Sequence, residues 1–320
     1  MLETPLPAGW SLAAHHHRNS FPDGRNMTVV FDPPFIVLEP AERTLPFVFN
    51  SPHSGCHYPE EFLNASRLSP HTLRKSEDAH VDALFSGVTE LGAPLMHAQF
   101  PRAYLDVNRE PFELDPAMFD RPLPTYVNNN SVRVAGGLGT IARIVGEAHE
   151  IYREPLTFAD AQRRIKTLYK PYHSRLKALI DDTARQFGTA LLIDCHSMPS
   201  TPDATQKERG LRPDIVLGDR FGTTCDERIT GFFESRLTRI GYAVVRNKPY
   251  SGGFITQTYG VNGGASHALQ IEINRDLYMD EETLEKNDGF DRLARDLLST
   301  IADLARIFPG SRSDRPLAAE

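Results

Sequence analysis

The chain has 320 residues, 40% of them hydrophobic and 24% charged, which is an ordinary globular mix with enough apolar material for a large core. Lysine and arginine number 35 against 42 aspartates and glutamates, a formal net charge of −7, so the broad basic field used in nucleic-acid binding is missing. An anionic ligand must be held by locally placed arginines instead.

Cys56, Cys195 and Cys225 are odd in number and contain no Cys-x-x-Cys pair, the usage of a reducing compartment and not of a disulfide framework. No apolar run approaches the roughly 18 residues of a membrane span, and the N-terminus lacks the charged-then-apolar pattern of a secretory signal. The expectation is a cytoplasmic protein with neither a nucleic-acid nor a membrane partner.

Residues 1–34 read as a flexible lead-in, rich in proline and glycine, with a tract at His15, His16 and His17 able to bind metal ions weakly. Residues 35–308 read as a single α/β domain and 309–320 as a polar tail. In chain order, short β-rich runs are expected at 47–49, 95–97, 104–107, 190–193, 214–217, 242–245 and 268–273. Helical periodicity separates them. One helix is expected from the cap Ser69 through Leu91 to the stop at Gly92, and a second from Phe158 to Phe187 with a kink at Pro171. Two more are expected near 223–240 and 281–306. Alternating strands and helices predict a mixed, mostly parallel central sheet with helices on both faces.

Ligands of such sheets bind beyond the carboxyl ends of the strands. Four polar groups fall there: His53 after the first run, Asn108 and Arg109 after the third, His196 after the fourth, and Glu272 within the last. Two imidazoles on strand-to-loop transitions suit zinc, whose catalytic sites take three protein ligands and leave one position for water. Glu77-Asp78-Ala79-His80 in the first helix is dense in possible third ligands. Spacing alone does not choose between Asp78 and the Glu77/His80 pair, and His57 competes. Glu272, an acid in an apolar strand, must face a polar cavity or a partner such as Arg275; beside a metal site it suits a general base. Arg102, Arg109 and Arg143 offer planar forks for carboxylates, and Asn108 adds an amide. The Asn247–Thr256 stretch, with Gly252 and Gly253, is a turn that lets backbone approach a substrate, with no dinucleotide or Walker spacing and no suitable helix start.

Taken in order, Asn50-Ser51-Pro52-His53-Ser54-Gly55, Asp78 with Val81-Asp82, Arg102 with Leu105-Asp106-Val107-Asn108-Arg109, Asp194-Cys195-His196-Ser197-Met198, Gly252-Gly253-Phe254-Ile255-Thr256 and Glu272 resemble the N-formylglutamate amidohydrolase family. That family is similar to the zinc carboxypeptidase and aspartoacylase group. The resemblance spans roughly residues 45–300. It implies a Zn2+-dependent hydrolysis of N-formyl-L-glutamate to formate and L-glutamate, late in histidine breakdown. His53 and His196 match metal ligands. The wider group places its remaining ligand three residues after the first histidine, which here is Cys56, so Asp78 is assigned instead. Glu272 matches the general base and Asn108-Arg109 the pair holding the substrate carboxylate. Arg102 or Arg143 would stabilise the oxyanion, and the small acidic substrate explains the several arginines. Two other readings are a zinc deacylase or peptidase acting on a different amide and a non-catalytic binding protein on the same fold.

Overall fold

The computed structural model describes residues 31–146, 149–200 and 212–308. The histidine tract and the tail at 309–320 lie outside the described residues. Phe31, inside the expected lead-in, is buried against the rings of Phe100 and Tyr104. The strands described are, in chain order, β1 (Phe35–Leu38), β2 (Phe47–Ser51), β3 (Leu95–Ala98), β4 (Ile144–Val145), β5 (His149–Glu150), β6 (Ala190–Met198), β7 (Ile215–Gly218), β8 (Val244–Arg246) and β9 (Ser266–Asn274).

All but β4 and β5 form one sheet in the order β1-β3-β2-β6-β9-β7-β8. Strands β3, β2, β6 and β9 are parallel, β7 and β8 run against them, and β1 is an antiparallel edge. Helices Val81–Phe85, Glu227–Arg239 and Phe290–Ala305 cover one face, and the Phe158–Phe187 segment covers the other. The mixed, mostly parallel α/β sheet is therefore present as expected.

Alternation along the strands sends Phe47, Phe49, Leu191, Ile193, Leu269 and Ile271 into the first core and Val48, Leu192 and Ala268 into the second. On that second face the next residues are Asn50 of β2, Asp194 and His196 of β6, and Gln270 and Glu272 of β9, all buried. Register aligns Asn50 with Asp194 and Asp194 with Gln270, and then His196 with Glu272. One face of the central strands thus turns from apolar to polar at a single level near their carboxyl ends.

Four local expectations differ from the structure. The helix expected over 69–91 is broken: Ser69 Oγ caps Pro70–Arg74 by accepting from Thr72 N, the chain then leaves the helix, and Val81–Phe85 begins after His80 at φ 64°. Partners distant in sequence take the backbone groups of this break. Arg275 donates to the Lys75 and Glu77 carbonyls, Tyr278 Oη to the Ala79 carbonyl, and Asp78 N to the His53 carbonyl. The run 104–107 is a turn, its amides at Tyr104 and Leu105 bonding back to the Pro101 carbonyl. Ahead of Pro171, which has no N–H, residues Ile165–Tyr169 widen into a π-helical turn within the long helix. Finally, a short helix, Phe254–Tyr259, does start directly after Gly253.

Candidate active site

His53 follows β2 and His196 ends the apolar run of the neighbouring parallel strand β6, so their rings meet with centroids 4.8 Å apart. Asp78, in the helix break, comes between them: its Oδ2 lies 3.0 Å from His196 Nδ1 and 3.4 Å from His53 Nδ1. All three side chains are buried. His53 Nδ1 has no hydrogen-bond partner, which is costly for a buried nitrogen with nothing to bind. The ligand atoms of the three all lie within 4.8 Å of one another, and the two separations from Asp78 are near the roughly 3.4 Å expected between ligands about 2.1 Å from a shared tetrahedral ion, so the group could hold a metal ion.

The far nitrogens are held by carboxylates. His53 Nε2 donates to Asp106 Oδ1 at 2.7 Å, and His196 Nε2 lies 3.0 Å from Asp194 Oδ2. Each ring is thereby turned with Nδ1 toward Asp78, the second contact that fixes a metal-binding imidazole. Burial alone would raise the carboxyls of Asp78 and Asp106. Hydrogen bonds from His196 and His53 hold Asp78 well below the usual carboxylate range, and Arg109, His53 and Arg102 do so for Asp106. For His196 burial favours the neutral ring, but Asp194 and Asp78 override it and push its pKa well up. A field that so favours a proton also favours a divalent cation.

Of the competing third ligands, Glu77 pairs with Arg74 at 3.1 Å and His80 Nε2 bonds the Leu284 carbonyl. His57 faces a separate cavity beside Tyr58 and Gln99. Among the described residues, His53, Asp78 and His196 are the group able to hold a metal ion.

The site opens into a cavity of about 460 Å³ lined by His53, Asp78, Arg102, Asn108, Arg109, His196, Gly252, Gly253 and Glu272. Glu272 is in-register partner to His196 across β6 and β9. Arg275 does not pair with it; Gln270 Nε2 donates to Glu272 Oε1 at 2.8 Å, while Gln270 Oε1 accepts from Gly253 N. Burial pushes Glu272 up to about 7, with His196 and Arg102 pulling down and Asp78 up. Arg102 donates to Asp106 Oδ2 at 2.9 Å, and its Nη1 lies 3.9 Å from Asp78.

Asn108 is packed beneath the glycine loop: its Oδ1 accepts from Ile255 N and its Nδ2 lies 3.2 Å from His196 Nε2. A Cβ on Gly253 would stand 2.4 Å from that amide, so only glycine fits. Thr256 Oγ1 donates to the Gly253 carbonyl; it braces the loop and does not line the cavity. Arg143 also lies outside the lining, held by Asp115 at 2.9 Å and Glu150 at 3.4 Å. The sequence reading singled out neither Asp106 and Asp194 as ring holders nor Gln270 and Arg133 as members of the site. An acid inside an apolar run, the signal that drew attention to Glu272, was also present for Asp106 and Asp194.

The chain is similar to the N-formylglutamate deformylase of Pseudomonas putida, with 28% identity over 77% of this chain and 86% of that protein. The deformylase of the same name from Pseudomonas aeruginosa is 27% identical over 74% and 84%. The crystal structure of the N-formylglutamate amidohydrolase from Ralstonia eutropha JMP134 superposes with a TM-score of 0.79 at 38% identity, covering 86% of this chain and 99% of that one. The gene product Atu2144 of Agrobacterium tumefaciens, 18% identical with a TM-score of 0.58 over 85% and 96%, shares the fold. Residues 45–279, most of the described chain, match the profile of the N-formylglutamate amidohydrolases, and the chain belongs to that family of amide hydrolases.

Proposed function

We propose that the chain hydrolyses the amide of N-formyl-L-glutamate to L-glutamate and formate, with His53, Asp78 and His196 as ligands of one Zn2+. The observation that carries this reading is the buried His53–Asp78–His196 group with an unpartnered His53 Nδ1 beside Glu272. Zinc, when bound, supplies a water of lowered pKa and polarises the acyl oxygen. Asp106 and Asp194 orient the two rings. Glu272, held by Gln270, takes the proton of the attacking water and returns it to the departing glutamate nitrogen. Arg102, which lines the cavity while donating to Asp106, stabilises the negative oxygen of the tetrahedral intermediate. Arg109 and the Asn108–Gly253 loop hold the substrate's α-carboxylate. A formyl group offers little surface, so the acid groups of a small N-acyl amino acid dominate recognition.

The test is metal analysis together with a substrate panel. About one zinc per chain, lost with activity on chelation, and fastest turnover of N-formylglutamate are expected. Equal or faster turnover of N-acetylated amino acids or peptide amides reassigns the substrate, and no turnover at all leaves a binding protein.

A further inference from the structure

We infer that Arg133 reads the side-chain carboxylate of the substrate and so sets the preference for an acidic amino acid; this deepens the functional reading above and rests on it. Arg133 lies on the short helix Val132–Ala135 and lines the cavity that holds His53, His196 and Glu272. The same stretch of wall continues through Leu138, Ala142, Ile144 and Val145. Apolar side chains beside a guanidinium suit a short aliphatic chain with an anion at its tip.

Among the arginines of the cavity wall, free donors set Arg133 apart; Lys75, also on the wall, is a point charge without a planar fork and pairs with Glu282 at 3.7 Å. Arg275 is committed through all three nitrogens, to Ser197 and to the Lys75 and Glu77 carbonyls. Arg109 donates through Nε and Nη1 to the Leu138 and Asn108 carbonyls, which leaves only Nη2, 3.4 Å from Asp106, for the α-carboxylate, and Arg102 donates to Asp106. Among the described residues the Arg133 guanidinium makes no hydrogen bond, and its ion pair with Glu113 is loose at 3.8 Å. Buried Glu113 also accepts from Ser131 Oγ and so anchors the start of this helix. The fork of Arg133 is therefore positioned but uncommitted. Arg143, to which the sequence reading gave a substrate contact, is already bound by Asp115 and Glu150.

The experiment compares wild type, Arg133→Gln and Arg133→Lys, each loaded with zinc, on N-formylglutamate and N-formylglutamine. Arg133→Gln should raise KM for N-formylglutamate roughly 10- to 100-fold, the scale of one charge-assisted pair, with kcat changed far less. The preference for N-formylglutamate over N-formylglutamine should collapse. Arg133→Lys should recover part of it, because charge returns without the planar fork. Thermal unfolding reports whether each variant is folded; if the Gln variant is not, the Lys variant decides on the same ratio. An unchanged preference, or equal losses on both substrates, overturns the inference alone. A wild-type enzyme that hydrolyses neither overturns the functional reading, and the inference with it.

Discussion

His196 and Glu272 are direct partners across the parallel strands β6 and β9. A candidate metal ligand and a candidate base are thus set side by side by backbone register and not by loop conformation. Positions on strands hold their geometry better than positions on loops, which suits chemistry that depends on ångström placement.

Replacing Glu272 by Gln keeps the shape and the hydrogen bond site but removes the proton acceptor. Turnover should fall by roughly 10²- to 10⁴-fold while zinc content, measured on the purified protein, stays the same. Retained turnover would take the base role away from Glu272.

The same residue predicts a pH profile. Burial pushes Glu272 up to about 7, and a base works only when unprotonated. The rate kcat/KM should therefore fall as pH drops, along a limb placed above the ordinary carboxylate range, and Glu272→Gln should abolish that limb. A profile flat down to the ordinary carboxylate range contradicts this.

Asp106→Asn and Asp194→Asn leave the ligands in place but weaken the hold on the far ring nitrogens. Metal affinity, read by competition with a chelator, should drop about 10- to 100-fold, with activity recovering in excess zinc. Unchanged affinity would mean that neither carboxylate orients its ring.

Gly253→Ala drives a Cβ to 2.4 Å from the Asn108 amide. The loop or Asn108 must shift, at about 1–3 kcal/mol of stability, and the catalytic rate should fall because Gly253 N also holds Gln270. An unfolding midpoint and rate equal to wild type would show that the loop yields freely.

His173 offers a test of stability apart from the site. Its Nε2 donates to the Val107 carbonyl and its Nδ1 meets Tyr259 Oη, and burial depresses its pKa to about 4. The unfolded chain, with the ordinary value of 6.5, binds the proton more tightly. Stability present above that value is lost as pH falls from it toward about 4, by up to about 3 kcal/mol. Urea midpoints should decline over that window in wild type and decline less in His173→Gln.

Six of the seven strands of the central sheet, all but the edge strand β1, and the placement of His53, His196 and Glu272 at its carboxyl end could be read from the sequence because they depend on local patterns. Apolar runs and their two-residue alternation are local properties, and so is a polar residue breaking an apolar strand. The family resemblance points to Asp78, but spacing alone does not separate it from Glu77 and His80; the tertiary structure is what brings Asp78, and not those two, beside His53 and His196. Helical periodicity continues through that segment, and the break exists because Arg275 and Tyr278, far along the chain, bond the Lys75, Glu77 and Ala79 carbonyls. Likewise Arg143 and Arg133 are alike as residues in a polar stretch. Asp115 and Glu150 hold one away from the cavity while the other lines it, a difference that arises only when distant carboxylates fold into reach.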